Sequence, residues 1–244
     1  MSKSCTIIIP CYNEGNRILS NEFLAFLEIN NHFSFVFVDD GSSDNTFSIL
    51  QKLAQHSKIS CLRLDKNKGK AEAVRHGINH TIKKGIDGYV GFLDADLAIP
   101  LEELERLYRK LVGSGDVEFV YSSKNTRLNH NLETKFKRVF VGRTLSKMVK
   151  WSLKIDVYDT QCGCKIMTKK VAEISFKDEF ISSWLFDIEI FWRLIKAYGR
   201  NYISTHTSEI PLQKLLNRGD SKVKMGDLIR LPMEFLKIHQ FYKK

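Results

Sequence analysis

Short apolar runs alternate with segments of helical spacing in the first half of the chain, and this alternation limits the fold more than any other feature. The runs have the length and composition of buried β-strands, and they are Thr6–Ile9, Phe33–Val38, Ser60–Leu64, Gly88–Leu93 and Glu118–Tyr121. The segments near 16–30, 44–56, 70–84 and 101–113 carry the apolar spacing of helices. Such alternation predicts an α/β fold with a mostly parallel central sheet, flanked by helices and connected by right-handed crossovers.

The second half is less regular. Its pattern predicts a basic amphipathic helix at 132–153, an aromatic-rich helix at 183–198, an extended segment at 202–212 and a final amphipathic helix at 225–242. We find no repeat, no low-complexity tract and no Gly/Ser-rich linker. Because 244 residues can bury one full core, we expect a single domain over 1–244.

Targeting and redox signals favour a cytoplasmic location. No apolar stretch approaches the roughly 18 residues that cross a bilayer, and the first residues lack a signal-peptide pattern. The five cysteines have no framework spacing, and Cys162-Gly163-Cys164 lacks a second pair of metal ligands. We therefore expect reduced thiols and no zinc site.

Positive charge is concentrated in the second half. The chain carries a net charge of +10, and residues 124–154 contain nine lysines and arginines against the single acidic residue Glu133. This bias predicts a partner that carries phosphate, or an anionic surface. A nucleic-acid partner is not expected, because acidic residues end two predicted strands and no RNP, KH or zinc pattern is present.

Two acidic clusters follow predicted strands. Asp39-Asp40-Gly41-Ser42-Ser43-Asp44 follows one strand, and Asp94-Ala95-Asp96 follows another. The carboxyl ends of parallel strands share one edge of the sheet, where open α/β folds bind ligands. We expect one of Asp39 and Asp40 to be functional, and Asp44 to cap the next helix.

Asp94 and Asp96 form a D-x-D element. In an extended segment, alternate residues point the same way, so both carboxylates would face one ligand. Hard oxygen ligands of this kind suit Mg²⁺ or Mn²⁺ that bridges to a diphosphate.

Two further segments allow either a structural or a binding interpretation. Ile9-Pro10-Cys11-Tyr12-Asn13-Glu14 is either a turn into a helix or a loop over the binding edge. Asn67-Lys68-Gly69-Lys70 precedes a helix, where backbone N–H groups and Lys70 could meet phosphate oxygens. The alternative for this segment is a solvated loop, and its spacing is not that of a P-loop.

These segments together resemble the family 2 glycosyltransferases with the GT-A fold, over nearly the whole chain. The similarity is strongest to the dolichyl- or polyprenyl-phosphate sugar transferases. In the second half, Asp159-Thr160-Gln161-Cys162-Gly163-Cys164-Lys165, Phe186-Asp187-Ile188-Glu189 and Gly219-Asp220-Ser221-Lys222-Val223 resemble elements of the dolichyl-phosphate glucosyltransferase-like branch. Three departures are Cys164 in place of a phenylalanine, Lys124 in place of an arginine and the extra Asp220.

The resemblance implies a role for particular residues. In the donor half (1–123), the nucleotide-sugar ligands would be Pro10, Tyr12, Glu14, Asp39 or Asp40, Lys70, Asp94 and Ala95, with Asp94 and Asp96 at the metal. In the acceptor half (124–244), the acceptor ligands would be Arg138, Arg143, Ser146, Gln161 and Lys165. The catalytic residues implied are Asp96, Arg143 and Asp187.

The implied reaction is metal-dependent transfer of a hexose, with inversion, from UDP-glucose or a related donor to a polyprenyl or dolichyl phosphate. A phosphate acceptor is already ionised at neutral pH, whereas a hydroxyl acceptor needs a general base, for which Asp187 and Glu189 are candidates. Asp187 could instead cap the nearby helix. The alternative functions are a soluble family 2 enzyme that acts on a saccharide hydroxyl in cell-surface polysaccharide synthesis, and a non-catalytic nucleotide-sugar-binding protein.

The final helix bears on membrane contact. Residues 225–242 combine apolar residues with lysine and arginine, so the helix could lie in a bilayer interface or pack on the core with a solvated face. If the helix lies in the interface, we expect a cytoplasmic protein in peripheral contact with the cytoplasmic face of the membrane.

Overall fold

The computed structural model describes residues 3–124, 146–218 and 225–243, without the side chains of 225–229. The strands are β1 (Ser4–Cys11), β2 (Phe33–Asp39), β3 (Ile59–Arg63), β4 (Gly88–Leu93), β5 (Phe119–Ser123), β6 (Cys164–Thr168) and β7 (Thr207–Pro211). The helices of the first half are α1 (Ser20–Ile29), α2 (Thr46–Leu53), α3 (Lys70–Lys83) and α4 (Glu102–Gly113). Those of the second half are α5 (146–153), α6 (Lys169–Ser175), α7 (Phe186–Tyr198), α8 (Arg200–His206) and α9 (Met225–Lys243).

One sheet contains these strands in the order β3-β2-β1-β4-β6-β5-β7. β1 is parallel to both β2 and β4, and β2 is parallel to β3. β6 is antiparallel to both of its neighbours, β4 and β5, while β7 is parallel to β5. The predicted mostly parallel sheet flanked by helices is confirmed, with β6 as its exception. The sheet draws strands from both halves of the chain, and the single-domain assignment remains a prediction.

Both faces of the sheet are covered, which explains why the inner strands are apolar on both sides. On one face, Ile8, Val36 and Val38 pack in a cluster with α3, α6, α7 and α9. On the other face, Ile7 and Phe35 pack with α1 and α4. Each fully buried side chain of this size contributes about 1.5–3 kcal/mol to folding.

The strand order reverses at β1, and this reversal locates the ligand-binding edge. The chain runs from β1 outward to β2 and β3, then returns to place β4 on the other side of β1. Cys11 at the end of β1 pairs with Asp39 at the end of β2. The loops after β1, β2 and β4 therefore surround one crevice at the carboxyl edge, the usual ligand site of such sheets.

The helices and strands predicted in the first half are confirmed, with shifts of a few residues at their ends. The extended segment predicted at 202–212 is wrong for 202–206, because α8 occupies Arg200–His206 before β7 begins. β6 and α6 were not predicted. The apolar run of β6 is interrupted by Lys165, a buried lysine whose charge is compensated only in the folded protein.

The remaining predictions concern the second half. The helix predicted at 132–153 lies outside the described residues up to 145, and 146–153 are helical. The aromatic-rich helix is confirmed as α7 and the final helix as α9. In the described ranges, no helix has the length and apolar character needed to cross a membrane. No disulfide joins the five cysteines, all of which are described.

Candidate active site

The loop after β2 is built around Asp40. Its carboxylate accepts hydrogen bonds from the backbone N–H groups of Lys68 (2.7 Å) and Gly69 (2.9 Å). Gly41 follows with φ +66°, and a side chain there would collide with the backbone of Lys66. Burial raises the pKa of Asp40 above its ordinary value, although the two N–H groups act against that rise. Asp40 therefore holds the 66–69 loop against the end of β2.

Asp39 differs from Asp40 in keeping one carboxylate oxygen without a hydrogen-bond donor among the described residues. It is fully buried, and its Oδ1 accepts a hydrogen bond from Ser42 N at 3.2 Å. Its Oδ2 lies 3.3 Å from Nε of the half-exposed Arg63, and no hydrogen bond reaches that oxygen from the described residues. A buried carboxylate oxygen of this kind suits an N–H donor such as a nucleobase.

The loop after β1 is tied to the loop after β2. Asn13 N donates to Ser42 Oγ (2.9 Å), and Asn13 Oδ1 accepts from Ser43 N (2.9 Å). Asn13 has φ +49°, a left-handed conformation that asparagine tolerates better than most residues. Sequence reasoning gave Asn13 no role, although asparagine after a strand was the available signal.

The three predicted pocket residues of the β1 loop differ in exposure. Pro10 lies in β1 and is half-buried, Tyr12 is exposed, and Glu14 is buried. Glu14 Oε2 lies 3.5 Å from Nε of Arg17. The exposed ring of Tyr12 is thus the group of the three that is most open to a ligand at this edge.

The D-x-D element lies in a turn, so the extended geometry predicted for it is wrong. Leu97 N donates to Asp94 O at 3.3 Å, and Leu97 has φ +48°. The side chains of Asp94 and Asp96 are nevertheless 38% and 32% exposed, and both carboxylates are accessible. Ala95 between them is buried. The turn itself, rather than strand alternation, presents the two acids.

Each acid of the turn has a basic neighbour. Asp94 Oδ1 lies 2.5 Å from Lys70 Nζ, at the start of α3. Asp96 Oδ1 accepts from Ala98 N (3.0 Å), and its Oδ2 lies 3.5 Å from Arg17. Burial alone would lower the pKa of Lys70, but the carboxylates of Asp94 and Asp187 outweigh it and raise that pKa. Lys70 is therefore a firmly protonated cation at the predicted diphosphate position.

Behind Lys70 lies a second, fully buried ion pair. Lys165 Nζ lies 2.7 Å from Asp187 Oδ1 and donates to Cys162 O at 2.6 Å. Burial raises the pKa of Asp187, and the charges of Lys165 and Lys70 act against that rise. Leu185, and not Asp187, is the N-cap residue of α7, so the capping alternative for Asp187 is wrong.

The second base candidate, Glu189, is also fully buried. Its carboxylate accepts hydrogen bonds from Ile181 N (3.1 Å), Ser182 N (3.0 Å) and the Tyr242 hydroxyl (3.2 Å). Burial raises its pKa, and the backbone donors act against that rise. Glu189 therefore anchors the 181–182 segment beneath the surface.

Gly163 brings the second half of the chain against the acidic turn. A Cβ built on Gly163 would lie 2.3 Å from Asp94 Oδ2, so a side chain at position 163 would displace that carboxylate from its present position. The Cys162-Gly163-Cys164 pattern in the sequence does not by itself predict this contact with Asp94. Lys165, predicted at the acceptor-side wall, lies beneath this turn with none of its side chain exposed.

The other predicted acceptor residues are only partly described. Ser146 donates to Tyr158 O at 2.6 Å, and Gln161 N donates to Asp159 Oδ1 at 2.9 Å. Both residues are half-buried. Arg138 and Arg143 lie outside the described residues.

The acidic turn has the donor chemistry of a magnesium or manganese site. In the described ranges, no group of three or more His, Cys, Asp or Glu residues is arranged to hold a metal ion. A Mg²⁺ site does not require three protein ligands, because the ion is usually held by one or two carboxylates together with substrate phosphates. Asp94 and Asp96, both accessible, fit this mode.

Comparisons with known proteins agree with this architecture. A profile of the family described as Glycosyl transferase family 2 matches residues 6–175. The chain is 28% identical to a dolichyl-phosphate beta-glucosyltransferase of Trichomonas vaginalis, over 98% of this chain and 71% of that protein. It is 27% identical to an undecaprenyl-phosphate 4-deoxy-4-formamido-L-arabinose transferase of Shewanella sediminis, over 95% of this chain and 65% of that protein.

Solved structures support the same fold. Glucosyl-3-phosphoglycerate synthase of Mycobacterium tuberculosis with UDP matches with a TM-score of 0.68 and 16% identity, over 98% of this chain and 80% of that chain. The same protein with Mn²⁺, UDP and its glucosylated product matches with a TM-score of 0.66. At this identity the likeness shows the fold alone.

The fold, the acidic edge and the family match define a glycosyltransferase with the GT-A fold. The chain belongs to glycosyltransferase family 2.

Proposed function

We propose that this enzyme transfers a hexose from a nucleoside diphosphate sugar to a polyprenyl or dolichyl phosphate, with UDP-glucose as the first donor to test. Relatives that align with nearly the whole chain are named as transferases to dolichyl phosphate and undecaprenyl phosphate. The excess of positive charge in the second half of the chain supports an acceptor that carries phosphate.

The donor would bind at the carboxyl edge of the sheet. Asp39 would accept a hydrogen bond from the base, Lys70 would meet the diphosphate, and Asp94 and Asp96 would hold Mg²⁺ or Mn²⁺. The bound ion would neutralise charge on the leaving diphosphate. Asp40 would act indirectly, since it fixes the 66–69 loop that precedes Lys70.

The choice of a phosphate acceptor is supported mainly by the burial and the hydrogen bonding of the two candidate bases, Asp187 and Glu189. Asp187 is paired with Lys165 at 2.7 Å, and Glu189 accepts three hydrogen bonds, both below the surface. A hydroxyl acceptor needs an accessible base to remove its proton. A phosphate acceptor needs none, because its second pKa is about 6 and it is already ionised at neutral pH.

The reaction then requires one bond to form and one to break. An acceptor phosphate oxygen would attack the anomeric carbon while the bond from that carbon to the diphosphate breaks, with inversion. The electron pair of the broken bond stays on the nucleoside diphosphate, and no proton has to move. Arg138, Arg143 and Ser146 remain the predicted ligands of the acceptor phosphate, with Gln161 beside them.

The first experiment follows radiolabel from UDP-glucose or GDP-mannose, with Mg²⁺ or Mn²⁺, in the presence and absence of polyprenyl phosphate. We expect lipid-dependent movement of label into the organic phase, and its loss when the metal is chelated. Donor binding with label transferred only to a saccharide hydroxyl would overturn the proposed acceptor. Donor binding without any transfer would favour the non-catalytic alternative.

A matched pair of variants distinguishes loss of a metal ligand from the general effect of removing a surface carboxylate. Asp96→Asn removes one metal-ligand charge, and Asp116→Asn changes an exposed aspartate in the loop before β5. We expect Asp96→Asn to lose turnover by about 10²-fold or more with an unchanged melting temperature. Asp116→Asn should match wild type, and a fully active Asp96→Asn would contradict the metal assignment.

A further inference from the structure

The outward face of α9 combines large apolar side chains with basic ones. Phe235, Ile238 and Tyr242 are buried against the core. On the opposite side, Met233 is 60%, Leu236 48% and Phe241 61% exposed. Lys237 is also exposed on that side, between Leu236 and Phe241 in the sequence.

α5 lies beside α9 and carries a further exposed aromatic side chain. The ring of Trp151 stacks on His239 with 4.7 Å between centroids, and Ser152 Oγ lies 2.8 Å from His239 Nδ1. Trp151 is 62% exposed although it is the largest side chain of α5. Trp151 of α5 and Met233, Leu236 and Phe241 of α9 are thus exposed on two adjoining helices, and we call these four residues the docking face.

The docking face is set apart from ordinary surface by its share of exposed apolar residues. Of the nine large hydrophobic residues that are exposed in the described parts of the chain, four belong to it. Single exposed apolar residues need no explanation, but a group of them indicates an interaction site.

The charge around the docking face is positive. Lys147 of α5 and Lys237 and Lys243 of α9 are exposed, and no ion pair within the described residues engages any of the three. The acidic side chain of α9 among the described ones, Glu234, accepts a hydrogen bond from Ser182. Aromatic and aliphatic side chains bordered by lysine match the interfacial region of an anionic bilayer.

We propose that the docking face binds the surface of an anionic lipid bilayer, with Trp151, Leu236 and Phe241 entering the headgroup region. The role of this contact in bringing the enzyme to its acceptor rests on the proposed function. The contact itself depends only on the exposed apolar side chains and the positive charge. Of the two alternatives for the predicted 225–242 helix, the proposal selects the one in which the helix lies in a bilayer interface.

The inner contacts of α9 connect the docking face to the active site. Ser182 donates to Glu234 of α9, and its hydroxyl also accepts from Leu185 N at 2.9 Å, at the start of α7. The next residue, Ser183, lies against Gly69, because a Cβ on Gly69 would be 2.9 Å from Ser183 Cβ. Binding through α9 therefore places the Lys70 loop, and with it the donor site, at a fixed position relative to the bilayer.

The test is co-sedimentation of the full chain with vesicles of phosphatidylcholine, with and without phosphatidylglycerol, at low salt and without donor. We expect binding to the anionic vesicles, its loss at high salt and little binding to neutral ones. Leu236→Glu and Phe241→Glu should abolish it. Lys237→Gln should weaken it roughly fivefold, the contribution expected of one lysine near an anionic surface.

Ile29→Glu is the matched control, because Ile29 of α1 is 82% exposed and lies outside the docking face. It should bind vesicles as wild type does. Failure of wild type to bind anionic vesicles, or equal loss in Ile29→Glu, would overturn the proposal. So would a concentration-dependent dimer, seen by analytical ultracentrifugation without lipid, that Leu236→Glu dissociates.

A second readout separates this proposal from the proposed function. Turnover on a water-soluble, short-chain polyprenyl phosphate should be the same in Leu236→Glu and wild type, while turnover on the vesicle-embedded acceptor falls. Vesicle binding without any lipid glycosylation would support the docking face and contradict the proposed acceptor. Glycosylation of the short acceptor without vesicle binding would support the proposed acceptor and contradict the docking face.

Discussion

Nζ of Lys165 lies 2.7 Å from Oδ1 of Asp187, and neither side chain has more than 4% of its surface exposed. Lys165 is on β6 and Asp187 is in the first turn of α7, so the pair joins the sheet to the helix behind the acidic turn. The same ammonium donates to Cys162 O, next to Gly163, which contacts Asp94. The pair thus supports the position of a candidate metal ligand without touching the site surface.

Breaking this pair should destabilise the protein. Lys165→Met leaves Asp187 as a buried carboxylate without its closest cation, and we expect a loss of about 3–5 kcal/mol in the free energy of unfolding. The matched control is Lys170→Met, since Lys170 pairs with Glu118 at the surface and such pairs contribute about 0–1 kcal/mol. Urea denaturation measures both.

The double variant Lys165→Met/Asp187→Leu tests the cause of that loss. Removing both charges should recover much of the stability, because the penalty comes from the stranded charge rather than from the missing attraction. An equal loss in Lys165→Met and Lys170→Met would show that the buried pair is not structurally important.

Lys70→Met should impair donor binding while the fold persists. Without its ammonium, Asp94 loses a cation at 2.5 Å and the proposed diphosphate position loses its positive charge. We expect kcat/KM for the nucleotide sugar to fall by about 10²-fold, in the range for loss of one preorganised charge contact. Lys68→Met, an exposed lysine of the same loop, is the control and should keep wild-type kinetics.

Gly163→Ala should displace the Asp94 carboxylate. The added methyl group would lie 2.3 Å from Asp94 Oδ2, and either the turn or the carboxylate has to move. We expect weaker metal-dependent activity, visible as a higher metal concentration for half-maximal turnover. Gly115→Ala meets no atom within 4 Å and should leave this concentration unchanged. The same metal requirement in both variants would contradict a role for the Asp94 position.

Asp44 should make stability depend on pH in the acid range. Its carboxylate accepts hydrogen bonds from Thr46 N (2.9 Å) and Gly15 N (3.1 Å), which joins the loops after β1 and β2. Its slight burial would raise its pKa, but the Thr46 and Gly15 donors outweigh that and lower it. Since the unfolded chain then binds the proton more readily, the stabilisation is present above the ordinary pKa of about 3.9 and is lost as the pH falls through the lower folded value.

The variant Asp44→Ala tests this sign. Asn45, and not Asp44, is the N-cap residue of α2, so the predicted cap is wrong in position, although Asp44 still accepts a hydrogen bond from Thr46 N at the start of the helix. At neutral pH the variant should cost about 1 kcal/mol, the usual effect of losing a side chain that binds a backbone N–H at a helix start. The gap in unfolding free energy between wild type and variant should narrow as the pH is lowered below 4. A gap that widens on acidification would contradict the lowered pKa.

The sequence by itself determined the strands of the first half and the acids that follow them. Runs such as Phe33–Val38 and Gly88–Leu93 are apolar because both faces of the sheet are covered, and that requirement is visible residue by residue. Asp39 and Asp94 could be assigned to one edge because the carboxyl ends of parallel strands coincide. The glycosyltransferase family was likewise readable from the ordered motifs.

Only the tertiary structure decided which charged groups meet. The Lys165–Asp187 pair is 22 positions apart in the chain, and Lys70 and Asp94 come from different elements. A buried lysine interrupts the apolar pattern by which a strand is recognised, so β6 was not predicted, and α8 replaced a segment expected to be extended. The physical reason is that local patterns report which face of an element is buried, whereas partners of a buried charge are set by packing between distant segments.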